Sequence, residues 1–166
     1  MVTDFEELQA AARTGREQCA LLVDDSHHDQ WLIKRALETV GRQVRLSTAI
    51  SGDEAMAYLG GIGVYADRFA YPVPAVVLLD IKMPRRSGFE VLQWLRDKGG
   101  NLKNMPVVML SSSDQLQDIE RAYEQGANGY VVKPGSHDEL KKAMNNICSF
   151  WLDENRPPNF TCITKV

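Results

Sequence analysis

The sequence predicts a doubly wound α/β fold, with five parallel strands in one central sheet and helices on both faces. Three observations carry that prediction. Short apolar runs recur along the chain and alternate with stretches whose apolar residues keep helical spacing. All but the second of them are continuous β-branched, aliphatic or aromatic runs, which suits strands covered on both faces. Ser-x-x-Glu signatures stand at the starts of several helical stretches, where hydroxyl and carboxylate can satisfy orphan amide N–H groups.

In chain order, Thr3-x-x-Glu6 marks an extra N-terminal helix within residues 1–17. Ala20 to Val23 is the first strand. Ser26-x-x-Asp29, a looser cap, precedes a helix with Ile33, Leu37 and Val40 on one face, ending at Gly41. Val44 to Ala49 is the second strand and alternates less cleanly than the rest. Ser51-x-x-Glu54 opens a short helix over Ala55 to Leu59, closed by Gly60-Gly61. Residues 60–74 read as a long loop with a helical extension around Tyr65 to Phe69. Ala75 to Leu79 is the third strand. Ser87-x-x-Glu90 opens the third helix, which points Phe89, Leu92 and Leu95 inward and stops at Gly99-Gly100.

Val107 to Leu110 is the fourth strand, and the helix after it is expected to turn Leu116, Ile119 and Tyr123 inward before Gly126. Tyr130 to Val132 is the fifth strand. Ser136-x-x-Glu139 opens the last helix, with Leu140, Met144, Ile147 and Trp151 as its apolar stripe. The tail, residues 153–166, contains Pro157-Pro158, which cannot continue a helix and reads as an extended arm. The main domain thus covers residues 18–152. Right-handed crossovers place helices on both faces of such a sheet. Ligands then bind at the carboxyl ends of the strands, near the switch point in strand order.

Bulk properties narrow the function classes. The chain of 166 residues suits one domain, and 44% hydrophobic with 25% charged residues is ordinary soluble composition. A net charge of −3 gives no basic footprint, so nucleic-acid binding is not expected. Cys19, Cys148 and Cys162 are odd in number and lack CxxC spacing, which argues against a disulfide framework or zinc site and for a reducing cytoplasm. The N-terminus has no signal-peptide character, and no run reaches the ~18 apolar residues that span a bilayer.

Chemistry gathers where the fold rule directs. Asp24 and Asp25 end the first strand, Asp80 the third, Ser111 the fourth and Lys133 the fifth. Two like charges ~5 Å apart repel by about 3 kcal/mol at an effective dielectric of ~20. Three carboxylates on one edge therefore call for a raised pKa or a cation. Hard oxygen ligands with room for water favour Mg²⁺, which meets phosphate oxygens well. Asp80 is the candidate nucleophile for a phosphoryl group, with Lys133 and a metal neutralising charge and the Ser111 hydroxyl donating to a phosphoryl oxygen. Each residue alone is ordinary turn or cap chemistry; their coincidence at the ends of separate strands points to a site.

Leu21-Leu22-Val23-Asp24-Asp25, Val77-Leu78-Leu79-Asp80-Ile81-Lys82-Met83-Pro84 with Gly88, Pro106-Val107-Val108-Met109-Leu110-Ser111 and Val131-Val132-Lys133-Pro134 resemble bacterial two-component response-regulator receiver domains, over approximately residues 18 to 150. Ser111 and Lys133 stand at the family's usual separation. The resemblance implies a flavodoxin-like receiver fold and roles for single residues. Asp80 resembles the phosphoacceptor, and Asp24 and Asp25 the acidic Mg²⁺ pair, with the Lys82 backbone carbonyl as a further ligand. Ser111 resembles the switch hydroxyl, Lys133 the phosphate-pairing lysine and Tyr130 the switch aromatic. The Lys133–Pro134 bond is expected to be cis by similarity.

Two departures stand out. The interval from Asp25 to Asp80 is lengthened by the 60–74 loop. Lys82 and Ser113 occupy the two positions whose side chains, by family analogy, govern access of the attacking water and so tune dephosphorylation.

The long loop and Phe150-Trp151 resemble the small response regulators associated with bacterial phytochromes, which often form homodimers. Trp151 and the tail either extend such a contact or, for Phe150 and Trp151, belong to the core. Trp31 and Trp94 read as packing residues, and His27-His28 as an exposed pair at a helix start. The resemblance implies a cytoplasmic single-domain phosphoacceptor that is not a conventional enzyme. Its partners would be a sensor histidine kinase, a bacteriophytochrome among the candidates, and a histidine phosphotransfer protein. The rivals are a non-phosphorylated scaffold of the same fold and an aspartate-nucleophile phosphatase. The phosphatase is disfavoured because Lys82 stands where such enzymes place a second Asp.

Overall fold

The computed structural model describes residues 19–41 and 44–155. The expected helix near Thr3 and the arm around Pro157-Pro158 lie outside the described residues. Strands β1 (Cys19–Val23), β2 (Arg45–Ala49), β3 (Val76–Leu79), β4 (Val107–Ser111) and β5 (Gly129–Val132) alternate with helices α1 (His27–Thr39), α2 (Gly52–Gly60), α3 (Gly88–Asp97), α4 (Leu116–Glu124) and α5 (His137–Cys148). The sheet is parallel throughout, in the order β2-β1-β3-β4-β5. Strand order reverses direction beside β1, between β2 and β3, which creates the expected crevice at the carboxyl ends.

Alternate residues of the three central strands enter opposite cores, as the period of two requires. Leu21, Val23, Val77, Leu79, Val107 and Met109 pack with α2 and α3. Ala20, Leu22, Val76, Leu78, Val108 and Leu110 pack with α1 and α5. Both faces being covered is why these strands read as unbroken apolar runs. The edge strands β2 and β5 are only partly buried, and their sequence pattern is correspondingly weaker.

The helix starts follow the expected capping chemistry with one instructive variation. Ser87 and Glu90 form a full reciprocal box at α3. Ser51 accepts from the Glu54 N–H at α2, while the Glu54 carboxylate accepts from the Ile50 N–H instead of the cap. Ser136 accepts from the Glu139 N–H at α5. At α1, Ser26 accepts from the Asp29 N–H, but the Asp29 carboxylate leaves the helix start altogether.

Several expectations are corrected. Leu116 and Tyr123 do not face inward: they are 66% and 52% exposed, and α4 buries only Ala122. The Ser113 hydroxyl donates to the Asp118 carboxylate at 2.6 Å, and the half-buried flank of the helix is Asp118-Ile119 instead. Trp31 is exposed and stacks on His28, with ring centroids 6.5 Å apart, whereas Trp94 packs on the core. The Lys133–Pro134 bond is trans, since no cis peptide occurs among the described residues. Trans is the default for X–Pro by about 0.5–1 kcal/mol, and from it Lys133 already reaches its carboxylates.

The 60–74 segment is anchored, and its helical part is a 3₁₀ turn at Gly63–Ala66. Arg68 donates to the carbonyls of Tyr58, Leu59 and Tyr71, satisfying the C-terminal carbonyls of α2. Tyr58, Tyr65 and Tyr71 form a three-ring cluster beneath it. After α5 the chain continues as a π-helical turn, Ser149–Glu154, where Trp151 joins the core and Phe150 is half exposed.

Candidate functional site at the carboxyl edge of the sheet

Asp24, Asp80 and Lys133 are each the first residue beyond their strands, Asp25 follows Asp24 and Ser111 ends β4, and the ladder continues through the backbone of Asp24, Asp80 and Lys133. The Asp24 N–H donates to Ala49 O at 3.0 Å, the Asp80 N–H to Val23 O at 2.9 Å and the Lys133 N–H to Ser111 O at 2.8 Å. The side chains are thereby delivered to one edge from four adjacent strands. Asp24, Asp80 and Ser111 are buried, while Asp25 is exposed. Gly88 seats α3 directly on this edge. A Cβ there would lie 2.1 Å from the Asp80 carbonyl oxygen, so no side chain fits.

Oxygen atoms of Asp24, Asp25 and Asp80 lie within 4.8 Å of one another, the spacing of a hard-cation cradle. Asp24 Oδ1 accepts from the Ser26 N–H at 2.9 Å, and Asp80 Oδ1 accepts from the Ile81 N–H at 2.8 Å. Gln30 Nε2 donates to Asp24 O at 2.7 Å and to Ala49 O at 3.2 Å, tying α1 to the ends of β1 and β2. Lys133 Nζ is 2.7 Å from Asp24 Oδ2, 2.7 Å from Asp29 Oδ2 and 3.7 Å from Asp80 Oδ2.

Burial pushes the Asp80 carboxyl up, the Lys133 charge pulls it down and Asp24 pushes it up again; the net shift is upward. Burial alone would lower the Lys133 ammonium, but its hydrogen bonds to Asp24 and Asp29 and the charge of Asp80 outweigh this, and it is raised. Two carboxylates and an ammonium do not cancel, so the buried edge keeps an anionic excess that suits a divalent cation. The donor set fits such an ion.

On the other side of Asp80, Ser111 Oγ accepts from the Ser113 N–H at 3.3 Å. The half-buried Tyr130 donates its hydroxyl to the Ser113 carbonyl at 2.9 Å. Lys82 follows in the loop after Asp80, with its side chain exposed. The residues singled out from the sequence therefore surround one edge, with Asp24, Asp25, Asp80 and Lys133 in direct convergence. Sequence reasoning missed Asp29, Gln30 and Asp118. Asp29 carried a signal, since it occupies the third helical position after a cap, but that signal pointed to capping.

The response regulator receiver domain family matches residues 20–145 of this chain. The chain belongs to that family. It is a phosphoacceptor signalling protein rather than a catalytic enzyme. Among relatives, a probable methanogenesis regulatory protein, FilR2 of Methanothrix harundinacea, is 35% identical over 142 residues, covering 83% of this chain and 86% of that one. Response regulator Rcp1 of Synechocystis sp. is 35% identical over 133 residues, 80% of this chain and 88% of that one. A solved Mn²⁺-bound form of Rcp1 superimposes with a TM-score of 0.74 at 34% identity, over 86% of this chain and 99% of that one. The phosphorylated cyanobacterial phytochrome response regulator RcpA superimposes with a TM-score of 0.78 at 34% identity, over 86% and 99% of the two chains. The receiver thus resembles phytochrome-associated response regulators and carries an acidic divalent-metal site. No helix among the described residues is long and apolar enough to cross a membrane.

Proposed function

We propose that Asp80 accepts a phosphoryl group from the phosphohistidine of a sensor histidine kinase. The P–N bond breaks as the Asp80 carboxylate forms a P–O bond, and the imidazole leaves carrying the electron pair. The observation that carries this reading is the convergence of three carboxylates within 4.8 Å beside the Lys133 ammonium. Asp24, Asp25, Asp80 and the Lys82 backbone carbonyl would hold Mg²⁺, which when bound neutralises charge on the phosphoryl oxygens. Lys133 pairs with one of those oxygens and the Ser111 hydroxyl donates to another. Tyr130 reads the movement of Ser111, because both are tied to the Ser113 backbone. Of the two positions expected to tune water access, Ser113 has its hydroxyl committed to Asp118, which leaves the exposed Lys82 side chain as the group that screens the phosphoryl.

The likeness to RcpA supports a phytochrome-type kinase as the donor. Relay onward to a histidine phosphotransfer protein and drainage of the kinase by a phosphate sink both use this same chemistry. Leu116 and Tyr123 on α4, Val132 on β5 and Phe150 after α5 are exposed apolar side chains, and they support self-association.

Intact-mass measurement after incubation with Mg²⁺ and acetyl phosphate tests the reading. A gain of about 80 Da for one phosphoryl group is expected, lost on Mg²⁺ removal and in Asp80→Asn. A folded protein that takes no phosphoryl from acetyl phosphate or from a histidine kinase would instead be a scaffold of this fold.

A further inference from the structure

We propose that Asp29 is a restraint on Lys133, a carboxylate outside the metal cradle that holds the ammonium away from Asp80 and competes with the phosphoryl group for it. The inference rests on the phosphoacceptor reading of Asp80.

The geometry begins with the start of α1. A capping-box acid at Asp29 would accept from the backbone N–H of the cap residue, Ser26. That N–H is already taken, donating to Asp24 Oδ1 at 2.9 Å. The Asp29 backbone is still fixed, because its own N–H donates to Ser26 Oγ at 3.1 Å. With the backbone pinned and the usual acceptor role filled, the Asp29 side chain crosses to β5 and takes Lys133 Nζ at 2.7 Å. Asp24 binds the same ammonium at 2.7 Å, so two of its three N–H groups are engaged. Asp80, at 3.7 Å, is left beyond hydrogen-bond reach.

The two partners of Lys133 are not equivalent. Asp24 belongs to the cluster that can hold a cation, and a bound cation draws its charge away from the ammonium. Asp29 is not in that cluster and remains available to Lys133 with or without metal. The pair is sheltered, with side-chain exposures of 14% for Lys133 and 33% for Asp29, so solvent screens it only in part. A phosphoryl group on Asp80 therefore finds one free N–H on Lys133 and must draw the ammonium toward Asp80 against the hold of Asp29. This makes Asp29 a positioning residue that opposes the phosphorylated state and shortens its lifetime.

The test is a double-mutant cycle on the full chain with Asp29→Asn, Lys133→Gln and both together. The readouts are the ratio of phosphorylated to unphosphorylated protein at fixed Mg²⁺ and acetyl phosphate, and the decay of the phosphorylated form after donor removal. Asp29→Asn keeps the backbone cap, and thermal unfolding checks that the fold is retained. The ratio should rise about two- to five-fold in Asp29→Asn, the range of a partly exposed ion pair, and decay should slow. In the Lys133→Gln background the same change should have no effect.

A fall or no change in the single variant overturns the proposal. An equal rise in both backgrounds also overturns it, since that would be bare charge repulsion and not a restraint on Lys133. Should Lys133→Gln abolish measurable phosphorylation, titration with beryllofluoride and Mg²⁺, read by tryptophan fluorescence, supplies the same cycle as binding affinities. Asp80→Asn run alongside separates the two failures. If the wild type gains no phosphoryl, the reading of Asp80 fails; if it gains one that Asp29→Asn leaves unchanged, only the restraint fails.

Discussion

Helices α3 and α4 look alike as sequences and differ as structures. Each carries apolar residues at helical spacing after a buried strand. Helix α3 buries Phe89, Val91, Leu92 and Leu95, whereas α4 buries only Ala122. The difference lies in what fixes each helix at its start. Ser87 and Glu90 cap α3 reciprocally, and Gly88 lets it sit on the Asp80 peptide. Helix α4 has no side-chain cap at Gln115; its first turn is held by the Ser113–Asp118 hydrogen bond, and Arg121 lies over the Phe89 ring at 4.2 Å. Periodicity reveals that an apolar face exists. Polar anchors decide which way it turns.

The strongest way to break this comparison is to truncate the buried face of α3. Leu92→Ala should cost about 2–5 kcal/mol in urea unfolding, through lost burial and the cavity left behind. A cost under about 1 kcal/mol would mean that α3 is seated no more firmly than α4. Next in size is the anchor of α4. Ser113→Ala removes the donor to a half-buried carboxylate, and a loss of about 1–3 kcal/mol is expected. The α4 amide resonances should shift with it, because the rotation of the helix depends on Asp118. Unmoved resonances would show that something else sets the rotation.

The same contrast explains what could be read in advance. The central strands were legible because both of their faces are buried, and Asp24, Asp80 and Ser111 because each ends such a run; Asp25 adjoins Asp24, and Lys133 follows the short apolar Tyr130-Val131-Val132 of the edge strand β5. The α3 face was legible because local capping and global packing agree there. At α4 they disagree, since the apolar spacing of Leu116, Ile119 and Tyr123 competes with a hydrogen bond between Ser113 and Asp118 that no periodicity reports. Asp29 was hidden for a related reason. Its role depends on Asp24 having already taken the Ser26 N–H, a competition visible only in three dimensions. Arg68 likewise carries no local sign that it will close the end of α2.

A smaller effect tests the loop that precedes α4. Burial first, and then the Asp118 charge, push the Tyr130 phenol up from its ordinary value, so the hydroxyl stays neutral and donates to Ser113 O. The sign follows from a folded pKa above the unfolded one. The stabilisation is fully present below the ordinary tyrosine pKa of ~10 and is lost as pH rises through the raised folded value. Tyr130→Phe should therefore cost about 0.5–1.5 kcal/mol at neutral pH, with the difference shrinking in strongly alkaline solution. Urea unfolding across that pH range measures it, and a difference that stays constant with pH would remove the phenol from the anchor.

The smallest effect on stability is expected where the sequence pattern misled most. Leu116→Ser on α4 places a hydroxyl where an exposed leucine stood, and the fold should lose no more than about 0.5 kcal/mol. That near-silence is informative beside Leu92→Ala, because both leucines belong to the same kind of periodic stripe. If the open face of α4 serves association, Leu116→Ser should lower the dimer fraction in analytical ultracentrifugation while leaving Asp80 phosphorylation unchanged. A large loss of stability would instead return Leu116 to the core, and the two helices would no longer differ. An unaltered dimer fraction with an unaltered fold would move the contact surface off α4, with Val132 and Phe150 among the exposed apolar residues to substitute next.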